Sequence, residues 1–229
     1  MRQDKLDAAL LEAAGDGDAQ RVEDLLGKGA RVDAVARDGG FQPLHLAIQH
    51  GRKKVVELLV ARGARIDATD GDGWQPLIWA AAIGNRETAE FLLDCGAQID
   101  AANKRGNRAI HYATREGRME VLELLVARGA DVDAAGEFGA RPLHEAAKKT
   151  QCREKEMEFL ISHGADPGAP DNFGLPPHDY TRDEFIRGIL EDAVREWPAR
   201  KEAREREALA EHLKRQRQLG SLRPLVPSL

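Results

Sequence analysis

Aromatic side chains are scarce in this chain, at 5% of 229 residues, and only two cysteines occur, Cys95 and Cys152. Two thiols without a Cys-x-x-Cys pair exclude a disulfide framework and give zinc no clustered ligands. They suit a reducing compartment. Nowhere do some 18 apolar residues run together, so no transmembrane helix is expected. The first residues, Met1 to Lys5, lead straight into an amphipathic stretch, which excludes a conventional secretory signal. A cytoplasmic protein is therefore expected, with export by a non-classical route left open. An excess of one charge is also missing: 34 Lys and Arg oppose 39 Asp and Glu, for a net charge of −5. That balance supplies no global attraction to nucleic acid or to an anionic membrane. A glycine-rich phosphate loop and a nucleophile elbow are absent too. The expectation is a chain with no catalytic residue, no metal and no cofactor.

What the chain has is repetition. The block Gly-Ala-x-(Val/Ile)-Asp-Ala occurs at 29–34, 63–68, 96–101 and 129–134, with a degenerate copy at 164–169. Successive glycines stand 34, 33, 33 and 35 residues apart. Within each period a Gly-containing turn precedes a short helix with Pro near its start, at Pro43, Pro76, Pro142 and Pro177. A glycine break follows, at Gly51, Gly84 or Gly117, and then a second helix. That helix carries apolar residues at helical spacing, for example Val121, Leu122, Leu124 and Leu125. The next Gly-Ala closes it. Neither helix is long enough to stand alone, so the units must stack around a shared core.

The blocks Pro43-Leu44-His45-Leu46-Ala47 and Pro142-Leu143-His144-Glu145-Ala146, with Ala109-Ile110-His111-Tyr112-Ala113 as a weaker version, resemble the Thr-Pro-Leu-His-x-Ala signature of the ankyrin repeat family. The resemblance covers roughly Lys5 to Leu190. It implies an all-α ankyrin-repeat solenoid of helix-turn-helix units with β-hairpin-like loops. Residues 1–34 read as an N-terminal cap, lacking the Pro-Leu-His turn. Four repeats follow at 35–68, 69–101, 102–134 and 135–169, and 170–197 reads as a C-terminal cap. Repeat two carries one extra residue near 35–40, and repeat five two extra around 150–153. Thr181 with Glu184 offers a capping box for a helix to about Trp197. The remainder, 198–229, reads as a charged helical tail supported by Glu202–Arg206 and Glu211–Arg215 pairs, ending in a frayed stretch from Ser221. Its interleaved glutamates oppose phosphate binding, so no nucleic-acid role is expected of it.

Histidines 45, 111 and 144 share one register position, which in the family bonds backbone of neighbouring turns; they are expected to be structural. The row Asp33, Asp67, Asp100 and Asp133 places one carboxylate per repeat, which the family resemblance implies is too far apart to share an ion, and reads as turn bonding. Asp70-Gly71-Asp72-Gly73 lacks the distal Glu of a calcium loop.

Surface remains. The family resemblance places recognition on turn tips and the exposed edge of each first helix, on the concave side. Those positions are Asp38, Phe41, Gln49 and His50, then Asp72, Trp74, Ala82 and Ile83. Repeat four adds Lys104, Arg105, Asn107, Arg115 and Glu116, and repeat five adds Glu137, Phe138, Lys148 and Lys149. Phe41 and Trp74 share one tip position in adjacent repeats. Either they pack on the helix beneath, or they form an apolar anchor beside a basic flank of Lys104, Arg105, Arg115, Lys148 and Lys149. The flank suits a partner segment with aromatic or aliphatic residues next to acidic ones. Trp79, inside the first helix of repeat three, is expected in the core. The leading expectation is a non-catalytic adaptor, monomeric, gripping one protein partner. The alternatives are an assembly protein that self-associates through its tail, or an effector or toxin-immunity partner. The Arg- and Ala-rich composition is similar to that of bacterial ankyrin proteins.

Overall fold

The computed structural model describes residues 3–148 and 153–220. Lys149 and Cys152, the extra residues of repeat five around them and the segment from Ser221 onward lie outside the described residues. Five helix pairs stand in series: α1 (Gln3–Asp16) with α2 (Ala19–Gly27), α3 (Pro43–Gln49) with α4 (Lys53–Ala61), α5 (Pro76–Ile83) with α6 (Arg86–Asp94), α7 (Ala109–Arg115) with α8 (Met119–Ala127), and α9 (Pro142–Ala147) with α10 (Glu154–Ser162). A 3-10 turn at Pro177–Tyr180 and the long helix α11 (Glu184–Gly220) complete the described chain. No strand occurs among the described residues. The hairpin-like loops are turns, each closed by one backbone hydrogen bond: Asp70 N–H to the Trp74 carbonyl (3.1 Å), Asn103 to Asn107 (2.9 Å), Gly136 to Ala140 (2.9 Å) and Asp171 to Leu175 (3.0 Å). In repeat two the closing bond runs from Ala36 to Phe41, one residue longer, and left-handed Gly39 and Gly40 absorb the extra residue.

The helices are six to nine residues long in the middle of the stack, below the length at which an isolated helix holds in water. Packing supplies what length does not. Leu44, Ile48, Leu59, Leu77, Leu92, Ile110, Leu122, Leu125, Leu143 and Met157 are fully buried in one continuous core that runs through every pair. Each such side chain contributes about 1.5–3 kcal/mol relative to exposure. Burial of Ala47, Ala80, Ala81, Ala113 and Ala146 lets neighbouring first helices approach closely.

The histidines fix the turns to the helices, as expected. His45 Nδ1 accepts from the Gln42 N–H (3.1 Å), and its Nε2 faces the Ala68 carbonyl (3.0 Å). His111 does the same with Arg108 and Ala134, and His144 with Arg141 and Leu175. A carbonyl only accepts, so Nε2 carries the proton and each imidazole is neutral. Burial is the main cause holding all three below the ordinary histidine range, His111 at about 4. The aspartate row links repeats: Asp33, Asp100 and Asp133 accept from the backbone N–H of Arg65, Asp131 and Asp166.

A second link recurs at the start of the second helices. Arg52 donates to the Gly15 carbonyl (3.0 Å), Arg118 to Ala82 (3.1 Å) and Arg153 to Arg115 (3.5 Å), each an otherwise unpaired carbonyl at the end of the preceding first helix. Gly84 shows why the break is glycine: its φ is +81°, and a Cβ would stand 2.6 Å from Arg118 Cδ. Where Asn85 replaces the arginine, its side chain instead caps its own helix through the Thr88 N–H (2.9 Å).

Two local expectations are corrected at the C-terminal end. Asp183, not the Thr181–Glu184 box, caps α11: its Oδ1 accepts from Phe185 (2.9 Å) and Ile186 (3.3 Å), while Thr181 Oγ1 accepts from Asp183 itself. Pro198 does not end the helix. It sits on the exposed side, where the carbonyl that its missing N–H leaves free is open to hydration. Ile186, Leu190 and Ala193 hold the first half of α11 to the body. Arg204 donates to the Ile161 carbonyl (2.9 Å) and that of Ser162, and lies over the Trp197 ring. Beyond it, residues 205–212 are exposed on every face.

Candidate functional site

The site is assembled by a register rule. Asp70, at the base of its turn, accepts through Oδ1 from the N–H of Asp72 and Trp74 (both 2.9 Å). Its Oδ2 accepts from the Trp79 indole Nε1–H, 3.0 Å away and nine residues on. One repeat later Asn103 Oδ1 accepts from Arg105 and Asn107 (both 3.0 Å), and its Nδ2 donates to the Tyr112 hydroxyl (2.8 Å), again nine residues on. Asp171 repeats the arrangement with Phe173, Leu175 and Tyr180. The Asx side chain thus shapes the turn and holds an aromatic ring of the first helix beneath it.

The rings so placed meet one another. Phe41 lies 5.7 Å from Trp79, Trp79 4.7 Å from Trp74, and Trp74 4.2 Å from Tyr112, all tilted by 40–57°. They floor a groove of about 610 Å³ between the turns and helices α5 and α7, whose wall adds Asp72, Ala82, Ile83, Arg105, Arg115, Glu116 and Arg118. Phe41 and Trp74 are therefore half-buried: they pack on the helix beneath and still present faces to the groove. Trp79 is corrected from core to groove. It is only partly buried, and its indole N–H is turned out to Asp70.

The groove ends where the rule breaks. In repeat five Gly136 replaces the Asx, and Glu145 stands in the ring position, 33 residues after Tyr112. Glu145 is 2% exposed, and its carboxylate accepts from Arg115 Nε (2.6 Å) and Lys148 Nζ (2.8 Å). Burial would raise the Glu145 carboxyl, but these hydrogen bonds and charges outweigh it and hold it below the usual carboxylate range. Arg115 also covers the Tyr112 ring, 5.0 Å from its centroid.

Of the expected surface, Phe41, Asp72, Trp74, Ile83, Arg105, Arg115 and Glu116 come together in the groove. Asp38, His50, Phe138 and Lys148 are exposed but outside it, and Lys149 lies beyond the described residues. Asn107 is corrected: it is 1% exposed, and its Oδ1 accepts from the Glu137 N–H (3.0 Å), taking over the acceptor that Gly136 lacks. The basic flank is corrected as well. Arg115 and Lys148 share Glu145, Arg105 faces Glu137 (3.8 Å), and Lys104 binds the Gly71 carbonyl. Tyr112, Trp79, Asp70 and Arg118 were not anticipated, and neither was Phe173, which is 68% exposed and 5.8 Å from Phe138, itself 61% exposed. No three His, Cys, Asp or Glu side chains converge to hold a metal among the described residues. No helix there is long and apolar enough to cross a membrane.

Stacked helix pairs, with a buried histidine tying α3, α7 and α9 each to a turn, define the class as an ankyrin-repeat solenoid. The sequence pattern described as ankyrin repeats (3 copies) matches residues 10–103 and 77–171, and the chain belongs to that family. Shorter stretches are similar to functionally unrelated proteins. A 2-5A-dependent ribonuclease of Mus musculus is 45% identical over 58 residues, 25% of this chain and 8% of that protein. Potassium channel AKT1 of Oryza sativa subsp. indica is 37% identical over 62 residues, 27% of this chain and 6% of the channel. Zygote-specific protein 3 of Chlamydomonas reinhardtii is 45% identical over 64 residues, 28% of this chain and 17% of that protein. The chain spans less than a fifth of the length of each of these relatives. Ankyrin repeats generally mediate protein–protein interaction, and the particular function lies in surface residues rather than in the fold.

Proposed function

We propose that the chain is a non-catalytic recognition module that holds an extended segment of a protein partner across the Phe41–Trp79–Trp74–Tyr112 groove. The observation that supports this reading is the gathering of four aromatic rings, out of the chain's eleven Phe, Trp and Tyr residues, at one open groove. Large rigid rings at the centre of a concave patch are the usual carriers of interface energy. The titratable groups beside them, Arg115 and Glu145, are bound to each other rather than poised to transfer a proton. With Arg115 and Lys148 sharing Glu145 and Arg105 facing Glu137, the groove favours apolar and ring-bearing segments.

Affinity capture from the native host with wild type and Trp74→Ala tests it, alongside Phe138→Asn as a variant outside the groove. A partner retained by wild type and Phe138→Asn should bind Trp74→Ala more weakly by about 2 kcal/mol or more, roughly thirtyfold. Circular dichroism of the variant should match wild type. A partner held undiminished by folded Trp74→Ala would sink the assignment of the groove.

A further inference from the structure

The sequence Arg223-Pro224-Leu225-Val226-Pro227 follows the end of α11. We propose that this Pro-x-x-Pro segment, donated by a second copy of the chain, is a ligand of the aromatic groove. The proposal rests on the groove being a peptide site, as above.

Three observations carry it. The first is spacing. A polyproline II strand has three residues per turn at about 3.1 Å each, which sets Pro224 and Pro227 on one edge about 9 Å apart. Neighbouring groove rings stand 4.2–5.7 Å apart, so the proline interval matches two ring-to-ring steps. Proline-rich strands dock on aromatic-lined grooves because their backbone is already ordered and costs little to bind. That backbone has no internal hydrogen bonds, and the Trp74 indole N–H has no acceptor among the described residues.

The second is charge. The Asp70 carboxylate is fully occupied by three N–H groups, Arg115 is matched by Glu145, and Arg118 is engaged with the Ala82 carbonyl. Asp72 is exposed at the rim and makes no ion pair among the described residues. It is the open counter-charge for Arg223.

The third is reach. Among the described residues Arg204 is the last tether of α11, and the sixteen residues from there to Gly220 carry the chain about 24 Å along a helix. Exposure of residues 205–212 on every face shows that this arm leaves the body. Seven residues in the polyproline II form would span about 22 Å, short of the 24 Å back to Arg204, so the arm carries the segment outward from its own body. A neighbouring copy's groove has no such restriction.

Sedimentation velocity over a range of concentrations tests this on full-length chains. Wild type should gain mass as concentration rises, whereas Trp74→Ala and Pro224→Ala/Pro227→Ala should each stay monomeric. Mixed together, these two variants should form a one-to-one complex, because each supplies what the other lacks. Asp72→Arg, at an exposed side chain, and Arg223→Asp should each weaken association about tenfold and restore it when combined. A synthetic peptide of residues 221–229 should quench tryptophan fluorescence of the double proline variant. Wild type that stays monomeric and a peptide that does not bind would overturn the proposal. So would a proline-dependent fluorescence change in a monomer, which would mean the segment binds its own groove. If association fails while a host partner is still lost on Trp74→Ala, the groove assignment survives and only this ligand is wrong.

Discussion

Replacing Asp70 by Asn, alone and with Trp79→Tyr, tests whether the Asx–ring pair builds the groove. Asp70→Asn keeps an Oδ1 acceptor for the Asp72 and Trp74 N–H groups but sets an amide NH2 against the Trp79 indole N–H, donor to donor. A hydrogen bond to a charged acceptor contributes about 1.5–3 kcal/mol, and Trp79 is partly exposed, so a loss near 1.5 kcal/mol is expected. Trp79→Tyr alone should preserve a bond, because Tyr180 donates to Asp171 in the same register, and should cost only packing area. The double variant recreates the Asn103–Tyr112 pair, in which the amide donates to the phenol oxygen at 2.8 Å. It should therefore be about 1.5 kcal/mol more stable than the sum of the single losses predicts. Urea unfolding followed by circular dichroism gives the four midpoints of the cycle. Additivity within about 0.5 kcal/mol would show that the two positions are not coupled and refute the register rule.

Other outcomes follow from the same structure. Gly136→Ala would bring a Cβ within 2.4 Å of Asn107 Oδ1 and 2.7 Å of His111 Nε2, and should cost about 2 kcal/mol or more in urea unfolding. Gly27→Ala, with open space around it, should stabilise by about 0.5–1 kcal/mol. His111 titrates near 4 when folded and about 6.5 when unfolded, so between those values the unfolded chain takes up a proton that the native chain refuses. Stability should therefore fall on acidification, by about 1.6 kcal/mol from this group between pH 6.5 and 5. His45 and His144 act in the same direction. Unfolding midpoints that stay flat or rise over that window would contradict a buried neutral imidazole. Phe138 holds φ +55°, the one non-glycine residue with positive φ among those described. Phe138→Asn should raise the unfolding free energy by about 0.5–1 kcal/mol, since Asn tolerates that conformation.

Period, turns and the structural histidines were legible because they rest on backbone demands: glycine where φ is positive, proline at a first turn, apolar residues at helical spacing. The groove was half legible. Phe41, Trp74 and Ile83 were found from tip position alone, while Tyr112 and Trp79 were hidden by a register that also describes core residues. A signal was present in the ninth-residue offset between Asp70, Asn103, Asp171 and their ring partners. The basic flank misled because its counter-charge is remote in sequence: Glu145 lies 30 residues from Arg115. Asn107 misled because only the stacked turns show that it serves the neighbouring Glu137.

Four of the arginine links run backward along the chain. Arg52, Arg118, Arg153 and Arg204 each reach back 36 to 43 residues to carbonyls made earlier. At synthesis rates of about 5–20 residues per second, those carbonyls wait roughly 2 to 8 seconds for their donor to be made. Four of the five helix pairs therefore leave the ribosome with a hydrogen bond owed to a later one, and those links close from the N-terminus with a lag of about one unit. Arg204 settles the final debt from a helix outside the repeat pattern, so a nascent chain halted before it keeps the end of α10 open to water.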